Sequence, residues 1–342
     1  MKIIVTHTSP DWDAIGSVWL LRRYLPGWHD ASVKFVPAGQ RLEGSTLTSE
    51  AGVGDPVEKV GKDEVIHVDT GLGPLDHHQI KDTSISGAGL AWRYILRLID
   101  EQKIPITETE KWEDRKEAIS RVVQFIVDTD HFKEVFWVDP VADYHEFTVL
   151  GLLDGLKLLK PDQDDYYVEF GFTCLEAMLH TFENRIWAER EIKENGQEFE
   201  TRWGKALAFD TINDSVLKLA QKMGYNLVVR KDPRKGYVRI KARPSNEISN
   251  LKSQISNDQL EKRNGKAGVI ANLRPKVFEK QSLRDEDIDL TLAYEKLRKI
   301  DPHATWFLHA SKKMLLNGTP KNPKMIATKL TLEQIIEVLK TI

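Results

Sequence analysis

Apolar residues recur along this chain with two periods, and the two alternate. "KIIVT" (residues 2–6) is a short β-branched apolar run closed by polar residues, which predicts a buried strand. "DAIGSVWLLRRYL" comes next with Ile15, Val18, Trp19 and Arg22 at helical spacing, and Asp13 is the expected N-cap. "SVKFVPA" (32–38) and "EVIHVDT" (64–70) predict two more strands, and "GAGLAWRYILRLIDE" (87–101) a helix. In "RKEAISRVVQFIVDTDHF" the stripe Ile119, Val122, Val123 and Ile126 predicts another helix, with Asp128 and Asp130 near its end. "FTVLGLLDGLKLL" and "CLEAMLHTFENRIWAEREIKENGQEFE" also predict helices, and the rising charge of the second marks it as a connector.

Strands alternating with helices imply an α/β fold: an N-terminal, mostly parallel sheet flanked by helices. A smaller α+β pattern comes after the connector. It has strands in "KALAFDT", "YNLVVR", "GYVRIKA" and "ATWFLHA", and helices in "NDSVLKLAQKM", "LTLAYEKLRKI" and "TLEQIIEVLKTI", with a polar loop-rich stretch between. The expected domains are 1–195, ending in the connector helix, and 203–342. Neither an internal repeat nor a low-complexity tract is evident. Two domains also suit a length of 342 residues.

Composition narrows the class. A hydrophobic fraction of 41% with 30% charged residues describes an ordinary globular protein without a membrane partner. No apolar run approaches the roughly 20 residues of a membrane span. "MKIIVTHTSP" lacks the features of a secretory signal, so the cytoplasm is the expected compartment. One cysteine, Cys174, excludes an intrachain disulfide and a thiolate metal cluster. The net charge of -3 hides an asymmetry: residues 201–280 carry 18 Lys and Arg against 7 Asp and Glu. Such a segment suits a polyanion such as nucleic acid, or is simply a solvated basic surface.

The candidate chemistry lies at the ends of the predicted strands. His7, Asp11 and Asp13 come after the first; Asp69 closes the third; Asp76, His77 and His78 come one tight turn later, through "TGLGP". In a parallel sheet the loops at the C-terminal strand ends share one edge, where sites form. Carboxylates and imidazoles together suit a borderline divalent metal such as Mn2+, Co2+, Fe2+ or Zn2+. Four clustered carboxylates would repel one another without cations. Two metals about 3.5–4 Å apart, sharing one carboxylate and activating a water between them, would make a phosphoester hydrolysis site. The plainer alternative, acidic turns that happen to contain histidines, must account for three segments independently. Other conspicuous residues read as structural: Asp139, Asp143, His145 and Glu146 in a loop, and Trp19, Trp92, Trp137 and Trp187 in the core.

"HTSPDWDAIGS" resembles motif I of the DHH phosphoesterase superfamily, roughly H-x-x-x-D-x-D-x-x-G-S. "HVDTG", "LDHHQ" and "FIVDTDHF" resemble its motifs II, III and IV, in the family's order. The first motif is similar to that of RecJ-like proteins, nanoRNases and family II pyrophosphatases. The short gap between Asp69 and Asp76, and "DHHQ" followed by "SGAGLAW", are similar to the Myg-type exonuclease branch.

The resemblance implies two divalent ions, Mn2+ foremost, with Mg2+, Co2+ and Zn2+ as alternatives. It implies that His7 and Asp11 hold one ion, that Asp13, His77 and the motif IV aspartate hold the other, and that Asp69 bridges. For motif IV we read Asp128 in preference to Asp130. His78 would face the substrate phosphate or leaving group, and Asp76 would orient the neighbouring imidazoles. In the C-terminal half "YVRIKARPS" places Arg243, and "FLHASKKMLLNGT" places His309 and Ser311, as candidates for gripping substrate phosphate. The glycine triplet that usually precedes this histidine is missing.

The expected activity is metal-dependent hydrolysis of phosphodiesters in single-stranded nucleic acid, short oligonucleotides or (cyclic) dinucleotides, in a cleft between the domains. The partner is thus a nucleic acid or nucleotide, with a homodimer as a compatible assembly. The alternatives are a pyrophosphatase or phosphomonoesterase, and a non-catalytic nucleotide-binding regulator, which should have lost a ligand. No ligand position is lost here.

Overall fold

The computed structural model describes residues 1–47, 49–106, 109–244, 288–319, 322 and 324–342. Much of the basic segment, residues 245–280, and the polar stretch around it lie outside the described residues. The chain divides into two compact units, 1–186 and 187–342.

The first unit holds a four-stranded sheet built from β1 (Lys2–His7), β2 (Ser32–Val36), β3 (Glu58–Val60) and β4 (Asp63–His67), in the order β2-β1-β4-β3. β1 runs parallel to both neighbours, with Ile4 opposite Val33 and Ile66, and β3 adds an antiparallel edge. The central position of β1 explains its continuous apolar run, since both of its faces are covered. Ile4 and Ile66 point into the main core, while Ile3, Val5 and Val65 form a small cluster on the opposite face.

The main core is a helical layer of α1 (Trp12–Tyr24), α2 (Gly87–Asp100), α3 (Thr109–Asp130), α4 (Val149–Leu159) and α5 (Asp164–Asn195). Ile15, Val18 and Trp19 of α1 share it with Trp92 and Ile95 of α2 and with Ile119, Val122 and Ile126 of α3. Burying each such side chain contributes about 1.5–3 kcal/mol. Two expectations change. The N-cap of α1 is Asp11, whose carboxylate accepts from the Asp13 and Ala14 amides, which frees Asp13 to turn inward. Trp19 and Trp92 are buried, but Trp137 is only partly buried and Trp187 is exposed.

The second unit is a six-stranded sheet in the order β5-β6-β7-β8-β10-β9. Its strands are β5 (Gln197–Thr201), β6 (Gly204–Asp210), β7 (Leu227–Lys231), β8 (Val238–Ala242), β9 (Trp306–Leu308) and β10 (Met314–Asn317). Among the described residues of this unit only β6 and β7 pair in parallel, across the helix α6 (Ser215–Lys222). Alternate strand residues face opposite layers: Ala206, Ala208, Val229 and Ile240 meet α7 (Thr291–Ile300) and α8 (Leu332–Lys340), whereas Leu207, Phe209 and Val228 meet α6. Among the described residues no helix is long and apolar enough to cross a membrane.

Candidate metal centre

The C-terminal ends of β1 and β4 lie side by side, so the segments leaving the two strands meet at one edge. From β1 come His7, then Asp11 and Asp13 at the start of α1. The His7 Nδ1–H donates to the Thr8 carbonyl (2.9 Å), which leaves Nε2 facing Asp69 Oδ2 at 3.2 Å and Asp11 Oδ2 at 3.9 Å. Past β4 the chain turns sharply. Asp69 (φ 51°) and Leu72 (φ 56°) adopt left-handed backbone, and the loop closes through the Asp69 amide to the Leu75 carbonyl at 3.0 Å. That turn delivers Asp76, His77 and His78.

Asp69 divides its carboxylate. Oδ2 faces His7, and Oδ1 lies 3.4 Å from His77 Nε2. His77 Nε2 is in turn 3.6 Å from Asp13 Oδ2 and 3.5 Å from Asp130 Oδ2. Asp69 Oδ1, His77 Nε2 and Asp130 Oδ2 are all buried with no hydrogen-bond partner. Two orphaned carboxylate oxygens, each within 3.5 Å of an orphaned imidazole nitrogen, are costly unless something polar or charged sits among them. Their chemistry, carboxylate oxygen and imidazole nitrogen, fits a divalent cation. Three groups are spaced to hold an ion: Asp69, His77 and His78; His77, Asp130 and His131; and His7, Asp11 and Asp69.

Asp13 is fully buried, and the start of α2 supports it. Its oxygens accept from the Gly87 amide at 2.6 Å and the Ala88 amide at 2.8 Å, where the helix dipole favours an anion. Gly87 is the residue that permits this approach, since a Cβ there would stand 2.9 Å from Asp13 Oδ2 and 3.1 Å from Asp69 Cβ. Sequence reasoning passed over these two amides. Their signal was the "SGAGL" helix start, with Ser86 as its N-cap.

The electrostatics are those of anions crowded together. Burial, then the neighbouring Asp69, Asp130 and Asp11, raise the Asp13 carboxyl well above its ordinary value, and burial also raises Asp130 and Asp11. Burial would raise Asp69 too, but the facing His7 and His77 rings outweigh that and hold it low. Burial opposes charge on His7, yet the Asp69 bond and the nearby carboxylates push it up to about 9. The Asp76 bond lifts His78 to about 9 as well.

Asp76 is fully buried and accepts from the Leu72 amide (2.7 Å), the His78 amide (3.0 Å) and His78 Nδ1 (2.6 Å). His78 itself is half exposed, so its ring is oriented from behind and presents Nε2 outward.

Asp128 is not brought into this group. Its carboxylate accepts from Lys133 Nζ at 2.8 Å and Gln124 Nε2 at 3.1 Å, whereas Asp130, one half-turn of α3 further on, reaches His77. The structure thus brings Asp130, and not the expected Asp128, to His77. His131, which the sequence reading did not single out, packs edge-on to His77 with ring centroids 5.7 Å apart, and its Nε2–H donates to the Ile85 carbonyl at 2.8 Å.

Arg243, His309 and Ser311 belong to the second unit. The Ala242 amide donates to the Lys313 carbonyl (2.8 Å), which sets Arg243 and the β9–β10 turn at the same end of that sheet. In the turn, His309 Nδ1 accepts from the Ser311 amide at 3.1 Å, so the ring proton sits on an exposed Nε2.

No family model matches the chain, and no curated protein matches it. Among solved structures the chain is similar to a DHH-domain protein described as a member of a family of ribosomal proteins. That likeness has 11% identity over 99% of this chain and 86% of that one, with a TM-score of 0.29. It is also similar to RecJ of Thermus thermophilus, solved in complex with Mn2+, at 10% identity over 99% of this chain and 51% of that one, with a TM-score of 0.26. Function must therefore be read from the site's own atoms. In the order of its four motifs the chain resembles the DHH phosphoesterase superfamily.

Proposed function

We propose that this chain is a divalent-metal-dependent phosphoesterase of the DHH type, hydrolysing phosphodiester bonds of single-stranded nucleic acid, short oligonucleotides or (cyclic) dinucleotides. The observation that carries this reading is the orphaned His77 Nε2 with the orphaned Asp69 Oδ1 at 3.4 Å and Asp130 Oδ2 at 3.5 Å, and the other oxygen of Asp69 turned to His7. His7 and Asp11 would hold one ion, His77, Asp13 and Asp130 a second, and Asp69 would touch both. Two such ions, with Mn2+ the first to try, would supply an activated water and neutralise charge on the phosphate.

The chain's own residues do the rest. The Gly87 and Ala88 amides hold the two Asp13 oxygens in place within the site. Asp76 holds His78 by Nδ1, which leaves Nε2 as the ring atom that would offer a proton to the departing oxygen. The exposed Nε2–H of His309, with Arg243 at the same sheet end, suits a phosphate oxygen.

Hydrolysis by the purified protein with Mn2+, on short RNA and DNA, cyclic dinucleotides, pyrophosphate and bis-p-nitrophenyl phosphate, tests the proposal. Diester cleavage should require metal and fall by at least about 1000-fold in Asp69→Ala and His77→Ala. Turnover of pyrophosphate alone would replace the diesterase with a pyrophosphatase. Metal binding without any cleavage would point to a nucleotide-binding regulator.

A further inference from the structure

Behind the turn that carries Asp69 and Asp76 lies a second polar cluster, made of Arg41, Glu58 and His67. Arg41 Nη1 donates to the Gly71 carbonyl at 2.6 Å, and Nη2 donates to Glu58 Oε1 at 2.5 Å. His67 Nε2 accepts from the Leu42 amide at 3.0 Å, so its proton is on Nδ1, 2.5 Å from Glu58 Oε1. Glu58 Oε2 accepts from the Thr46 amide at 3.2 Å, which fixes the carboxylate on its far side. Glu58 and His67 are buried. The guanidinium therefore joins β3 and β4 to the middle of the turn.

The turn is shaped to receive it. Gly71 has φ +80°, and a Cβ there would stand 3.0 Å from Arg41 Cγ and 3.1 Å from Nη1; one at Gly73 would stand 3.3 Å from Nη1. The two glycines of "TGLGP" thus form the seat of the guanidinium. The stretch it anchors includes left-handed Asp69 and Leu72, a backbone that side chains other than glycine adopt at a cost.

We propose that Arg41 is a positioning residue for the metal centre: by holding the Gly71 carbonyl against Glu58 it keeps the 69–76 turn in the conformation that splits the Asp69 oxygens between His7 and His77. This rests on the metal-centre reading above. A planar two-pronged donor is what the role needs, so lysine cannot replace it.

Two measurements on the full chain test it. The first is hydrogen–deuterium exchange without metal. In Arg41→Ala and Arg41→Lys, peptides spanning residues 68–76 should exchange at least about tenfold faster, while β1 and α2 stay as in the wild type. The second is Mn2+ titration, in which both variants should bind about 10- to 100-fold more weakly. A uniform rise in exchange with wild-type Mn2+ affinity would reduce Arg41 to a general stabilising contact and overturn the proposal, as would an unchanged turn. If the wild type bound no Mn2+, the metal-centre reading would fall, and exchange in the 68–76 peptides would still decide whether Arg41 sets the turn.

Discussion

Asp128 and Asp130 differ by two positions on α3, which on a helix is about 200° of rotation, so they look in opposite directions. One is paired with Lys133 at the surface; the other meets His77. Asp130→Asn should therefore weaken Mn2+ binding about 10- to 100-fold, whereas Asp128→Asn should change it less than about twofold. Isothermal titration of both variants reads this directly, and equal losses would contradict the geometry. The sequence held the distinction. Ile119, Val122, Val123 and Ile126 mark the inward stripe, and Asp130 is its next member at i+4 while Asp128 is not. The preference for Asp128 weighed motif spelling over helical phase. That His7, Asp11, Asp13, Asp69 and His77 gather at one edge was legible, by contrast, because their segments leave β1 and β4, two strands whose apolar runs are unambiguous.

At the scale of elements, strong periodicity was readable and short pairing was not. β1, β4 and the α3 stripe stand where the pattern put them, but β3, β5 and β10 were not anticipated. β3 has three residues, and its pairing depends on β4 offering an edge, which local sequence does not encode. "GQEFE" read as a continuation of the connector, yet β5 begins at Gln197, because β6 supplies an antiparallel partner. Arg41 and Glu58 were missed for the same reason: their role exists only once β3 and the 69–76 turn are side by side.

The start of α7 allows a pH prediction. Asp289 accepts from the Lys312 ammonium at 2.8 Å, from the Thr291 hydroxyl and from the Thr291 amide at 2.8 Å, and these bonds bring its carboxyl down to about 2. An unfolded Asp titrates near 4, roughly. Because the folded value is depressed, the stabilisation is complete above the unfolded value and is lost as pH falls towards 2. Both partners are exposed, so solvent screening keeps the contribution small. Asp289→Asn should show a small stability deficit in urea unfolding at pH 7 that closes between about pH 4 and pH 2. A deficit independent of pH would assign the effect to packing instead.

Charge is the property of the whole molecule that bears most on substrate. The proposed metal ligands are dominated by carboxylates in the first unit, while residues 201–280 carry 18 basic against 7 acidic side chains. If that excess meets a nucleic-acid backbone, binding releases counterions. The affinity for a single strand should then fall with a log–log salt slope of about -0.7 per phosphate neutralised. About five such contacts would weaken oligonucleotide binding about 100-fold between roughly 50 and 200 mM salt. A small diester such as bis-p-nitrophenyl phosphate engages the metal centre without a phosphate chain, so its KM should move little over the same range. The two slopes, measured as KM against salt with saturating Mn2+, separate recognition from chemistry. A steep slope for the oligonucleotide alone assigns the basic segment to backbone binding. Equally shallow slopes would confine recognition to the metal centre and favour a short substrate, a dinucleotide or pyrophosphate, over a strand.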